Sequence, residues 1–509
     1  MYTNLMKFSE HVDQNYNGVV SGNMSTEGAD ELLKAMSIGD QQGAQTWNAT
    51  DQSAAPLKVE SLEGTMKVLT AQPKHYPIFA KLSKKPVFNN IHEYLQLVSY
   101  GTPDYGFVSE GELPEVEDTI YRRKPIQIKY SGIVGGVTFQ AELVKTGGGI
   151  TSMLAQEATN KARLMAMRME YHLPFADSRV VPEQYNGIFS QLETESEYPS
   201  FNAYMNSPHV IDARGSILKD YHLADATQVI RDYFGFADTI ISHPAVFTNY
   251  NKQWLDKKLI HPTSPHVNAP IFGQTVRTIA TQNGPVEIMD SNFFRLGGTQ
   301  TKNSLSGPTT SKAPAAPALV TSSSVASPNS KFVGTDTYYY AVAAKNNYGE
   351  SALTFVTAAS VVAPVATAPG FATDLVLTPG TTSQYAATGW AVYRSKANAT
   401  SSNLADIPMY KIFEVGMTQW TNEGYDTAGT AVAAQHILDN DRIISGTDQA
   451  LVIEWASDQV FSFLQLGQMM KMDLALTAPI RRFMIMLFGT PVIYAPKKVV
   501  RIVNIGDRV

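Results

Sequence analysis

The stretch from Lys85 to Ala141 constrains the chain more than any other. Ile91–Ser99 alternates polar and apolar residues loosely, as a strand does, and Ile126–Tyr130 and Val134–Ala141 read as strands again. Between them Gly101–Asp118 is turn-rich and acidic. It carries Glu110, Glu112, Glu115, Glu117 and Asp118, and Arg122, Arg123 and Lys124 follow at once. The whole is a long two-stranded excursion with a charged tip. A lone hairpin of this length is marginally stable in water at best. Its apolar positions need a surface that the chain's own core is not expected to supply. The expectation is therefore a loop that lies against a neighbouring subunit, with those acids and bases making the subunit contact.

After the hairpin the texture changes. Thr146-Gly-Gly-Gly149 is a flexible joint. Ile150–Tyr171 holds no Gly or Pro, and Ile150, Leu154, Ala158, Ala162, Met165 and Met169 recur at helical spacing. That predicts a long helix ended by Pro174. Residues 175–300 read as α/β: a helix over Ala224–Tyr233, a buried strand over Asp238–Ser242, a helix opened by His243-Pro244, and short strands at Val276–Ala280 and Val286–Met289. Leu305–Ser330 is rich in Pro, Ser, Ala and Thr with a single charge, a linker by composition. Beyond it come short strands with Gly and Asn turns and no helix: Thr337–Ala344, Leu353–Thr357, Gly389–Arg394, Tyr410–Val415 and Gln419–Asn422. This pattern predicts a β-sandwich. After about Val432 the α/β texture returns, with strands at Ala450–Ala456, Val460–Leu466, Met472–Leu476, Arg482–Leu487 and Val499–Ile505. Residues 1–60 are polar and weakly periodic, an extended arm with one short helix at Ala29–Met36.

Composition narrows the function. With 509 residues the chain holds several domains. Lys+Arg 40 against Asp+Glu 46 gives a net charge of −6, with no basic stripe of the kind a polyanion-binding protein shows. The absence of cysteine removes disulfides, thiolate zinc sites and a cysteine nucleophile. The N-terminus lacks a signal-peptide pattern, and the most apolar run, Phe483–Ala495, is too short to span a bilayer. No partnership with a membrane is expected. There is no phosphate-binding glycine loop, no nucleophile elbow and no H-E-x-x-H. His261 and His266 read as loop residues. Asp439-Asn440-Asp441 begins like a calcium loop, but Ile443 stands where a ligand should be and Gly446 is misplaced. Glu193, Glu195 and Glu197 read as a solvated loop. The expectation is a non-enzyme with no catalytic residue, metal or cofactor.

The order of these parts, from arm and charged hairpin through GGG and the long helix to FADTIISHPAVFTNYNK and a final GTPVIYAPKKVVRIVNIG, resembles the HK97-like fold of the major capsid proteins of tailed bacteriophages. Residues 60–300 and 430–509 carry that resemblance. It implies an α+β fold with an N-terminal arm at 1–60, an E-loop and flanking strands at 61–145, and a spine helix and peripheral domain at 146–223. An A-domain comes next at 224–304, and the chain returns to the A-domain and peripheral-domain sheet at 431–509. Residues 305–430 comprise the linker and an insert. In that insert YYYAVAAKNNYGES and GWAVYRSKA…YKIFEV resemble the strands of an immunoglobulin-like or fibronectin type III module, able to fold alone.

The resemblance implies a shell subunit that self-assembles into hexamers and pentamers of an icosahedral capsid around double-stranded DNA. The insert would be displayed outside, and the DNA contacted weakly and non-specifically. Scaffold, portal and decoration proteins are expected partners. The place is the virion capsid, after synthesis in the host cytoplasm. The competing reading is a secreted or surface adhesive or carbohydrate-binding protein with a fibronectin-like module. It explains the insert alone.

Overall fold

The computed structural model describes residues 69–101, 106–114, 116–144, 152–195, 201–253, 277–295, 301–332, 336–356, 361–362, 371–380, 385–399, 406–417, 435–476 and 478–506. The arm, the Gly147–Gly149 joint, Glu115, Glu197, His261, His266 and the expected strand at Gln419–Asn422 lie outside them.

The strand Lys129–Thr138 reads KYSGIVGGVT, and its alternation decides where the body's sheet is built. Ile133 and Val137 point inward and are buried, while Tyr130 and Val134 on the opposite face are exposed. Inward, the strand meets the long helix Met153–Phe175 through Met165 and Met169. Gly135 makes that approach possible, because a Cβ there would stand 2.6 Å from Phe483 Cζ and 3.1 Å from Lys161 Cγ. The strand pairs antiparallel with Ile480–Ile493, from Lys129 opposite Gly489 to Thr138 opposite Ile480. Met470–Asp473, Phe461–Gln465 and Lys84–Pro86 complete a five-stranded sheet. The helix runs one residue beyond Pro174, because a proline in the last turn still leaves the chain helical through Phe175.

The second sheet has six strands, in the order Val210–Asp212, Val499–Ile505, Asp448–Ile453, Thr239–Ser242, Gly284–Asp290, Thr278–Thr281. All four residues of Thr239–Ser242 are buried, Ile240 and Ile241 as apolar core and Ser242 with its hydroxyl donating to the Gln449 carbonyl at 2.7 Å. His243 then caps the helix Pro244–Lys252, its Nδ1 accepting from the Ala245 N–H at 3.2 Å, with Pro244 at the first helical position. That helix and Asp220–Asp232 cover the sheet through Val246, Phe247, Leu223, Ala226 and Ile230.

The region expected to be a sandwich contains two larger antiparallel sheets beside a short antiparallel pair, Thr337–Tyr338 with Val361–Val362. One orders Gly349–Glu350, Tyr340–Asn346, Gly389–Arg394, Met409–Gly416 and Thr301–Lys302. The other orders Leu319–Ala326, Phe371–Thr378 and Gln435–Asp439. Two sequence expectations need correction here. The span 305–330 is not linker throughout, since Leu319–Ala326 pairs with Phe371–Thr378 along eight residue pairs. Its Ser and Thr residues suit a pleated, half-buried surface as well as they suit a loop. The sheets also reach beyond the expected 305–430, to Thr301 on one side and Asp439 on the other. They pack on the body. Val342, Trp390 and Val415 share one apolar core with Met165, Leu173 and Phe189, and a Cβ at Gly389 would stand 2.7 Å from Val180 Cγ1.

Candidate assembly surface

The hairpin Ile91–Ser99 and Ile120–Gln127 is a two-stranded sheet of its own. Sequence alone reads Ile126–Tyr130 as one strand; the structure breaks it at Ile128, whose N–H donates to the Asn90 carbonyl at 2.8 Å. Gln127 ends one sheet and Lys129 begins another. Beyond the strands, Gly111 at φ +90° turns the acidic tip, a conformation that costs glycine little.

Strand alternation gives the hairpin two unlike faces. The outward face pairs Leu95 with Arg123 and Leu97 with Tyr121, with Ile91 opposite Gln127. Leu95 is 73% exposed and Tyr121 66%. Further out, Tyr100, Phe107, Leu113 and Val116 are also exposed. The inward face pairs Tyr94 with Lys124 and Gln96 with Arg122, and all four are half-buried against the body. The Tyr94 ring meets Tyr494 edge-on at 5.0 Å, and Gln96 Nε2 donates to the Tyr494 carbonyl. Lys124 Nζ donates to both oxygens of Glu195, at 2.6 and 2.7 Å, and Arg122 Nη1 stands 3.5 Å from the same carboxylate. Burial, and next the Glu195 charge, pushes the Tyr94 hydroxyl pKa up to about 12. A cleft of about 360 Å³ remains between hairpin and body, lined by Tyr94, Lys124, Gln191, Glu195 and Ile493.

No family model matches the chain. The major capsid protein of Staphylococcus phage K is 22% identical to it over 223 residues, 43% of this chain and 46% of the relative. The major capsid protein of Staphylococcus phage S25-3 matches to the same extent. The chain has phage major capsid proteins as homologues. The match spans about half the length of these curated relatives. Among solved structures, the capsid of cyanophage P-SCSP1u aligns with 90% of this chain and 96% of its own at 8% identity and a TM-score of 0.42. The capsid of a native GTA particle aligns with 90% and 99% at 6% identity and 0.42. The holo-SrpI encapsulin complex from Synechococcus elongatus aligns with 91% and 98% at 8% and 0.40. Scores this low carry no argument, and the α+β architecture stands on the sheets described above.

The charged residues singled out in the sequence divide by position. Glu110, Glu112, Glu117 and Asp118 are exposed at the tip. Arg123 is on the outward face and pairs with Glu93 of the opposite strand. Arg122 and Lys124 turn inward to Glu195, so within one chain they hold the hairpin to the body. Glu195 itself is not the solvated loop residue its neighbourhood suggests; its side chain is only 10% exposed. No short-range signal marks it, because its partners stand about seventy positions earlier.

Sequence reading also missed two buried charge clusters. Arg394 is fully buried. It donates to Asp439 at 2.7 Å, Asp441 at 2.6 Å, Ser445 at 3.0 Å and the Ile443 carbonyl at 2.8 Å, and lies over the Phe332 and Tyr338 rings. Arg214, from the six-stranded region, reaches the same Asp441 at 3.3 Å. This explains Asp439-Asn440-Asp441: its carboxylates hold a guanidinium. In the second cluster Lys411 pairs with Glu350 and with Glu414, while Lys302 and Lys345 close the outer oxygens at 2.9 and 2.5 Å. Among the described residues no group of His, Asp and Glu is arranged to hold a metal ion, and no helix is long and apolar enough to cross a membrane.

Proposed function

We propose that this chain is the major capsid protein of a tailed phage, an HK97-like shell subunit that assembles with copies of itself into hexamers and pentamers around packaged double-stranded DNA. The observation that carries the reading is the outward face of the hairpin. Ile91, Leu95, Leu97 and Tyr121 expose a row of large apolar groups on a projecting element, and exposed patches of that kind mark association surfaces. The name shared by the curated relatives points the same way. In this reading Glu110, Glu112, Glu115, Glu117, Asp118 and Arg123 meet the neighbouring subunit, and Arg122 and Lys124 support them from behind. The protein acts structurally, without catalysis, and its place is the virion. Scaffold, portal and decoration proteins are further partners, and the two antiparallel sheets of the insert form an immunoglobulin-like module on the outer surface.

The test is expression of the full chain followed by electron microscopy. Wild type should give shells or ring-shaped capsomers. The variant R122E/R123E/K124E should stay folded by circular dichroism and assemble poorly. Dispersed monomers from wild type at high protein concentration would sink the reading.

A further inference from the structure

The hairpin leaves the body through two adjacent chain passages, at Asn90 and Ile128, joined by one backbone hydrogen bond. Its ladder does not continue into the five-stranded sheet, so strand pairing leaves the angle between them unset. Packing holds only its inner part, where Tyr94 and Ile126 lie against the cluster of Val87, Ile128, Leu464 and Val492, and a cleft remains beneath the hairpin. The gap is spanned by a short row on the inward face: Tyr94 on Tyr494, Gln96 on the Tyr494 carbonyl, and Lys124 with Arg122 on Glu195. The first two are neutral and cluster at one residue. The third is charge-assisted, engages both carboxylate oxygens and comes from another element, the residues just after the helix Ile188–Glu193. Hydrogen bonds between ionised partners are roughly twice as strong as neutral ones.

We propose that Glu195 is the latch that fixes the hairpin's angle within the single subunit, so that the outward face is aimed before any neighbour arrives. It is a positioning residue: the assembly contacts lie on the opposite face of the strands. Preorganisation of this kind lowers the ordering cost of association. The latch depends on the shell-subunit reading only for its consequence; it is itself a property of the isolated chain.

The chain has no cysteine, so paired spin labels at S109C on the tip and Q459C on the body report the angle cleanly. In unassembled subunits, wild type should give one narrow distance distribution. E195Q keeps the side chain's shape and removes its charge. It should raise the population outside the main peak by about tenfold, the change expected when a hydrogen bond to a charged group is lost. The swap E195K/K124E should restore the narrow peak, which a purely local folding defect would not allow. Thermal midpoints of all three should agree within about 2 °C, because the latch fixes an angle and not the fold. In assembly assays E195Q should form shells more slowly while reaching the same final shell. An unchanged distance distribution in E195Q would overturn the latch whatever assembly does. A broadened distribution with unaltered assembly kinetics would leave the latch standing and refute its link to assembly.

Discussion

The hairpin and the insert both carry dense opposite charge, and they use it in opposite ways. On the hairpin the Arg123–Glu93 pair is exposed, with side chains 68% and 40% accessible. Pairs of that kind contribute ~0–1 kcal/mol. In the insert Arg394 has no accessible surface, and Lys411 and Glu350 are buried together. Removing one member of a buried pair costs ~3–5 kcal/mol, because a charge is left without compensation. The hairpin's outward charges can therefore change without unfolding the chain, and they are free to serve a partner. The insert's charges lock strands together and tie them to the body through Asp441 and Arg214.

The most damaging single change should be R394L. It would leave Asp439 and Asp441 buried without their guanidinium, with only Arg214 still near Asp441. Denaturant unfolding should show a loss of ~3–5 kcal/mol. The triple variant R394L/D439N/D441N should recover a large part of that loss. A cost below ~1 kcal/mol for R394L alone would mean that the cluster does not hold the insert, and the contrast with the hairpin would collapse.

Acid should act on the insert's contact with the body next. His172, near the end of the long helix, has its pKa lowered from 6.5 to about 4, chiefly by burial and then by the charge of Lys345, with Arg168 adding to it and Glu414 opposing. The unfolded chain thus takes up a proton at a higher pH than the folded one. The stability held by neutral His172 is intact above pH 6.5 and drains away as the pH falls toward 4. Glu350 adds to the loss at more acidic pH, below the ordinary glutamate value of 4.5. Its pKa is depressed: burial opposes the charge, but Lys411, Lys302 and Lys345 outweigh it, so stability present when it is ionised goes as it protonates. With the partial exposure of His172 discounted, unfolding measured at about pH 7.5 and about pH 4.5 should differ by ~1–3 kcal/mol from this residue. H172Q should flatten that slope. An unchanged slope would show that the ring is solvated in the native state.

The two regions were unequally legible in the sequence. The hairpin could be read because its pattern is local: strand alternation, a turn-rich acidic tip and three consecutive bases all fall within about forty residues. The long helix, the buried strand at Thr239–Ser242 and the His243 cap were legible for the same reason. Several insert strands were also found, and GWAVYR and YKIFEV do pair. The hidden part was long-range. Leu319–Ala326 has a linker's composition, and only its partner Phe371–Thr378 makes it a strand. Lys411, Glu350 and Arg394 are typical surface residue types, and nothing near them in sequence says that they are buried. Glu195 stood in a run of acids whose ordinary meaning is solvent. In each case the missing information is the identity of a partner between about forty and seventy positions away.

The smallest expected effect on stability is the sharpest test of the comparison. Leu95 sits at the middle of the outward face, 73% exposed, with Arg123 directly across the ladder. L95D removes little buried area from the folded subunit and places a carboxylate beside that guanidinium. Unfolding free energy should therefore stay within ~0.5 kcal/mol of wild type. Assembly should respond otherwise. Covering a leucine of this kind is worth ~1.5–3 kcal/mol, and covering an aspartate instead adds a desolvation cost. A shell repeats the contact in every copy, so even the lower figure multiplies through the lattice. Light scattering should show the onset of assembly moving to a much higher protein concentration while the thermal midpoint does not move. If L95D assembles like wild type, the outward face is not the subunit contact. If it unfolds the chain, the face is part of the subunit's own core, and the hairpin differs from the insert in exposure but not in role.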